Sequence, residues 1–440
     1  MGAVIAEGTS SGPSAPVRGA RMALVLLLLI NLFNYIDRLV LAAVLPKIKG
    51  DLLPGDPHAD TKLGWLATAF LVSYMVASPI FGWLADRFSR WVLVGFGVVL
   101  WSIASGESGR AATFAVLLIT RLFVGIGEAA YGPAAPTIIS DFYPVQRRGQ
   151  VLAWFYIAIP VGSALGYLLG GQFVQHAHWR WAFYSVVPPG LLLGAICFFM
   201  PKPPAGQGGV KHHAKLADYL ALMRTKSYML NCAGMAAMTF AIGGISVWMP
   251  TYVAEFRKAG VLGTVNTMFG LITVITGIVG TLLGGWVGDW LRPRIRGAYL
   301  AVSGFGLLLA FPFFLAMLIT PFPYAWIFIF LAEFCLFFNT GPSNTALANV
   351  SKPEVRASAF ALNILIIHSL GDALSPPAIG GLSDHFHGNM NVGFAAVGAV
   401  MLLGGLLWIW GARYLDADTE AASAGEFASV PAAALPVEPP

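Results

Sequence analysis

A chain of 440 residues with 57% hydrophobic and only 11% charged side chains carries about half the charge of an ordinary soluble domain. With a mean hydropathy of +0.73, it lacks the polar residues to cover a water-soluble surface. Its net charge of +5 comes from basic residues scattered between apolar runs, without the basic stripe and interleaved aromatics of a nucleic-acid binder, so no nucleic-acid partner is expected.

Residues 1–20 are rich in Ala, Ser, Pro and Gly and are predicted to be a disordered tail. Twelve apolar runs follow, each near the roughly 20 residues that cross a hydrocarbon core. They lie at about 22–45, 63–86, 90–108, 111–142, 148–172 and 180–200, then 227–254, 264–290, 297–319, 322–350, 356–382 and 389–412. The first run is too long and too charged for a cleaved signal and lacks a small-x-small exit, so it is expected to stay in the mature protein. Between the sixth and seventh runs, the linker 201–226 holds Pro, Gly, His and five basic residues. Its stretch 216–222 has the pattern of an interfacial amphipathic helix. The expected organisation is a bundle over 21–200, this linker, a second bundle over 227–414, and a disordered tail over 415–440.

Basic residues fix the expected orientation. With both termini in the cytoplasm, seventeen of the 26 Lys and Arg residues fall inside and seven outside, and Arg38 and Arg121 lie within spans. The positive-inside rule selects that arrangement. We expect a monomer integral to the plasma (inner) membrane.

The second half repeats the first in register. Gly82-Trp83-Leu84-Ala85-Asp86 matches Gly285-Trp286-Val287-Gly288-Asp289, while Gly132-Pro133, Arg147, Gly162 and Gly171 match Gly341-Pro342, Arg356, Gly371 and Gly380. Six spans separate the copies, so both keep one orientation, related by a pseudo-twofold axis along the membrane normal, with a cavity at their interface. The expected fold is all-α: twelve transmembrane helices in two six-helix bundles.

Ionisable groups within spans are costly and are therefore functional candidates. They are Asp37, Arg38, Arg121, Glu128, Glu333, His368 and Asp372. Arg121 and Glu128 are seven apart and share a helix face. A carboxylate alternately exposed to desolvation and to an arginine takes up and releases a proton, so Asp37 and Glu128 are the expected proton-coupling groups. Arg38 and Arg121 are their counter-charges or anchors for an anionic head group. A static ion-pair network fixing helix register is the competing reading, which its insertion cost disfavours.

Expected cavity-lining residues are the aromatic Tyr35, Phe70, Tyr74, Trp154, Tyr156, Phe240 and Trp248, together with Glu333, Asn339, Ser343, Asn344, His368 and Asp372. His368 and Asp372 are one turn apart and suited to bonding each other. Asp86, Arg87, Arg90, Arg147 and Asp289 form an expected cytoplasmic gate, the two carboxylates facing the first turns of spans eleven and five. Glycines repeated every four residues at 162, 166, 170 and at 280, 284, 288 predict close helix packing.

Several patterns are discounted. Gly125-x-Gly127 follows no strand, so it is not a dinucleotide loop. The histidine pairs 176/178, 212/213 and 385/387 lack a third ligand. Cys197, Cys232 and Cys335 have packing positions and no metal spacing. No cofactor or metal is expected; a proton gradient supplies the driving force.

The loop Gly82 to Arg90 resembles the signature loop of the major facilitator superfamily. Within it, Asn34-Tyr35-Ile36-Asp37-Arg38, the segment Arg121 to Glu128, and Leu370-Gly371-Asp372 through Ser375-Pro376 resemble the Spinster-like lipid transporters, its bacterial members especially. That resemblance implies alternating access and an amphipathic substrate of the lysophospholipid or sphingosine-phosphate type. Two alternatives stay open. One is a proton-coupled symporter of a small organic or sugar acid, since organic-anion symporters share the first-span motif; the other is a non-transporting receptor with the same fold.

Overall fold

The computed structural model describes residues 19–85, 87–143, 145–201, 216–352 and 355–424. Asp86, residues 1–18 of the expected N-terminal tail and residues 202–215 of the linker lie outside it.

Twelve helices among the described residues are long and apolar enough to cross a membrane. Spans one to six are Ala20–Leu52, Ala59–Ala85, Arg90–Arg110, Phe114–Phe142, Gln150–His176 and Arg180–Cys197. Spans seven to twelve are Lys226–Phe256, Leu262–Leu291, Ala298–Ile319, Ala325–Asn349, Ser358–His385 and Met390–Ser423. An even number of crossings places both ends of the described chain on one face, called here the termini face; the opposite one is the far face. The linker stretch forms a short helix, Leu216–Arg224, against the start of span seven.

Helices outrun their apolar segments wherever polar partners wait at their ends. Span one continues through Lys47 and Lys49 to Leu52, and Lys49 meets Asp60 at 2.5 Å. The expected disordered tail 415–440 is corrected over 415–423, while 425–440 lie outside the described residues. Span twelve stays helical to Ser423 because its last turns cap two neighbours: Asp416 accepts from the Gly297 amide (3.1 and 3.2 Å) and Asp418 from the Ser227 amide (3.0 Å). Each carboxylate satisfies otherwise free N–H groups at a helix start and meets the positive end of the helix dipole.

Two six-helix bundles result, and the glycine repeats set their tightest contacts. A β-carbon on Gly162, Gly166 or Gly170 would strike the backbone or Cβ atoms of Leu32, Tyr35, Ile36, Leu39 or Ala43 in span one. Gly280 and Gly284 likewise lie on span ten at Phe334 and Phe338. Gly125 admits the backbone of Phe70 in span two, while Gly127 admits Trp101 and Gly97 in span three. The Gly-x-Gly of span four is thus a two-sided packing device.

The bundles meet along two seams, span two against span eleven and span five against span eight. Hydrogen bonds between the bundles run from mid-depth, where Ser369 donates to the Met75 sulfur (3.6 Å), to the far face: Thr68 to the Ala373 carbonyl (2.6 Å) across the first seam, and beside the second Asn266 of span eight to the Ala43 carbonyl of span one (3.0 Å) and Tyr167 of span five to the Ser246 carbonyl of span seven (2.6 Å). Toward the termini face, Ile80, Trp154, Ile364 and Leu365 are exposed. The molecule is closed at the far face and open at the termini face.

Candidate functional site

Span one carries Asp37 and Arg38 side by side, and the 100° turn between consecutive helical residues sends them to different neighbours. Arg38 reaches Glu128 of span four, its Nε donating at 2.8 Å and its Nη2 lying 2.6 Å from the same carboxylate oxygen. Asp37 instead meets Ser105 of span three, whose hydroxyl donates to it, and lies 3.6 Å from Arg121 of span four. Arg121 and Glu128, two turns and about 10 Å apart along their helix, therefore serve separate pairs. Four charges form two crossed bridges between spans one and four.

The bridges differ in access. Glu128, Asp37 and Arg121 are sealed, whereas the Arg38 side chain keeps 22% of its surface exposed. Its guanidinium lies 4.9 Å from the Tyr35 ring, 4.7 Å from Phe70 and 5.6 Å from Tyr74. Phe70 also sits 5.8 Å from the Arg121 guanidinium, so one ring lies between both cations. Aromatic faces stabilise a cation while leaving its N–H edges free for an anion. Glu128 keeps one oxygen, and Asp37 one, without a hydrogen-bond donor among the described residues.

Across the seam, span eleven breaks where the Gly371 segment lies. Residues His368–Asp372 form a π-turn with Gly371 out of helical geometry (φ −102, ψ −105). A β-carbon on Gly371 would press on the Ala236 carbonyl and Thr239 of span seven. His368 bonds Asp372 at 2.9 Å, and its ring stands 6.5 Å from Tyr74. An aromatic step thus joins the charged cluster of one bundle to the His–Asp pair of the other. Glu333 is separate: Thr273 donates to one oxygen at 2.8 Å, and the other has no partner among the described residues.

Tyr35, Tyr74 and Tyr156 are incompletely buried around this opening, and Trp154 and Tyr156 of span five are 59% and 49% exposed. Phe240 is half-buried within the apolar core. Three wall positions are corrected. Trp248 is fully buried, donating to the Pro376 carbonyl at 2.9 Å. Asn339 and Ser343 are fully buried too, turned onto their own helix through the Cys335 and Asn339 carbonyls. Polar side chains in an apolar helix satisfy themselves locally where no cavity reaches them. Asn344 is half-buried and does the same with the Thr340 carbonyl.

The partners found for Arg87, Arg90 and Asp289 of the expected gate lie within their own bundles. Arg90 pairs with Asp141 at 2.5 Å within its own bundle, Arg87 stacks on Trp83, and Arg147 is exposed. Asp289, expected at the start of span five, accepts instead from Tyr299 of span nine at 2.8 Å. Asp86 is outside the described residues.

Ser105 escaped the sequence reading because a lone serine in an apolar span carries no charge signal. Replacing it with alanine removes the donor to a buried carboxylate and is expected to cost about 1–3 kcal/mol, read as a lower melting temperature in detergent.

The Major Facilitator Superfamily profile matches residues 27–376. Protein spinster homolog 3 of Danio rerio is 35% identical over 411 residues, covering 87% of this chain and 82% of that protein. The chain belongs to the Spinster family of the major facilitator superfamily. Human protein spinster homolog 1 is 34% identical over 453 residues, covering 93% of this chain and 83% of that one. A bacterial homolog of the human lysosomal transporter Spinster, solved inward-facing and unoccupied, shares the fold at a TM-score of 0.77 and 21% identity, over 94% of this chain and 99% of that one. This Spinster-family protein is an integral membrane transporter and not an enzyme.

Proposed function

We propose that this Spinster-family transporter moves an amphipathic lipid with an anionic head, of the lysophospholipid or sphingosine-phosphate type, by proton-coupled alternating access. The observation that carries the reading is Arg38: a partly exposed guanidinium, boxed by three aromatic rings and tethered to the sealed Glu128. An anionic head bound to the free edge of Arg38 competes with Glu128 for the same cation. A carboxylate that loses its arginine in a dry interior takes up a proton, so head-group binding and protonation become linked through one side chain. Coupling then equals the difference in proton and substrate affinity between the two arrangements of the bundles.

The orientation in this reading puts the termini face in the cytoplasm, as the count of basic residues favours. The captured arrangement is then inward-open. The acyl chain lies along the exposed aromatic and aliphatic wall, where Tyr156, Trp154 and Leu365 supply apolar surface. Asp37 and Arg121, sealed behind Phe70, act as the second proton site or as its electrostatic support.

Purified protein in liposomes, with a pH gradient imposed, tests the substrate. Labelled lysophospholipid or sphingosine phosphate is expected to move with the gradient, and labelled gluconate is not. Flux of gluconate alone would transfer the assignment to a small-acid symporter, and absence of any flux would support a receptor.

A further inference from the structure

The far face is closed by two seams that the internal repeat relates to each other, and they are built differently. Shifting by 209 residues carries Gly171 and Gln175 onto Gly380 and Asp384, and shifting by 203 carries Asp60 onto Gly263. The structure honours both relations. A β-carbon on Gly171 would stand 3.1 Å from the Gly263 carbonyl, and one on Gly380 would stand 2.5 Å from the Asp60 carbonyl carbon. In each seam, a glycine near the end of one helix lets it lie on the first turn of a helix from the other bundle.

One turn further on, the seams diverge in charge. In the span five and eight seam the residue is Gln175, whose side chain crowds Gly263. In the span two and eleven seam it is Asp384. Its carboxylate accepts from the Asp60 amide (3.2 Å), the Thr61 amide (2.7 Å) and the Thr61 hydroxyl (2.6 Å). Those amides are free donors at a helix start, and the helix dipole adds to their pull on an anion. Asp60 is itself buried and fastened from both bundles, by Lys49 at 2.5 Å and by Ser383 at 2.9 Å.

We infer that Asp384 on the first turn of span two, with Ser383 on Asp60, is the charged latch that holds the far face shut, and that the Gln175 seam, with only neutral bonds beside it, is the counterpart on which the bundles pivot. Opening the far face must free the Asp384 carboxylate from three donors across the seam. Charge-assisted bonds are the strong ones, so this seam sets the stability of the closed far face. Beside the other seam the bonds between the bundles are neutral, Asn266 to the Ala43 carbonyl and Tyr167 to the Ser246 carbonyl, and neutral bonds are the weaker ones.

The test reads the far face directly and needs no substrate. Spin labels are placed on His58→Cys and His385→Cys, exposed positions flanking the latch, and the distance distribution is measured in liposomes. The unaltered seam is expected to give one short distance. Asp384→Ala is expected to raise the ratio of long to short distances by about tenfold or more, Thr61→Val to raise it less, and Gln175→Ala to leave it unchanged. Asp384→Asn, which keeps the side-chain volume, is read alongside in case the alanine variant folds poorly; it too is expected to lengthen the distance. An unchanged distribution in the Asp384 variant that folds, or an equal shift with Gln175→Ala, overturns the assignment.

Discussion

Glu128→Gln is expected to lower pH-driven substrate flux by about tenfold or more while the protein stays folded. Glutamine keeps the size of the side chain and its carbonyl still accepts from Arg38, now without opposite charge. Arg38 is partly exposed, so its freed charge is hydrated from the open cavity and the cost to stability is modest. What disappears is the exchange of Arg38 between a carboxylate and the substrate head, the step that links proton to cargo. Flux measured against an imposed pH gradient, together with exchange at equal pH, separates the two effects: coupling is lost and exchange survives. Undiminished response to the gradient would remove Glu128 from the coupling role.

The second large effect concerns the sealed bridge. Arg121→Ala is expected to destabilise the protein by about 3–5 kcal/mol, because it strands the Asp37 carboxylate in the interior without its cation. Asp37→Asn in the same molecule is expected to recover a large part of that loss, since no buried charge is then left unpaired. The melting temperatures of the two single variants and the double variant, compared as a cycle, report the coupling. Additive losses would mean that the 3.6 Å approach of Arg121 to Asp37 contributes nothing as a pair. Ser105, donating to Asp37 from span three, makes this bridge a three-helix junction, so its loss is expected to affect the fold more than the loss of Glu128.

Which residues deserved attention was legible in the sequence; how they pair was not. Asp37, Arg38, Arg121 and Glu128 stand out because charges in apolar runs are costly. Yet the spacing of Arg121 and Glu128 on one face says nothing about which arginine faces which acid. That depends on how spans one, three and four are rotated against each other, and Gly125, Gly127 and Gly166 set the rotation through contacts with three separate helices. Wall assignments failed for the same reason. Trp248, Asn339 and Ser343 have the right residue types, but the rotation of their helices turns them inward.

The far-face latch was invisible for a different reason. Lys49, Asp60 and Asp384 lie beyond the apolar runs, in stretches that hydropathy assigns to loops. The helices continue through them because each polar side chain finds a partner there.

The chain's composition, its twelve apolar runs and its internal repeat determined the membrane fold and the two-bundle plan, since burial of apolar length and the turn of a helix are local properties of the sequence. Only the tertiary structure decided the crossed pairing of four charges, the open and closed faces, and the unlike chemistry of two equivalent seams. Those follow from the relative rotation and tilt of helices, which residues far apart in the chain fix together.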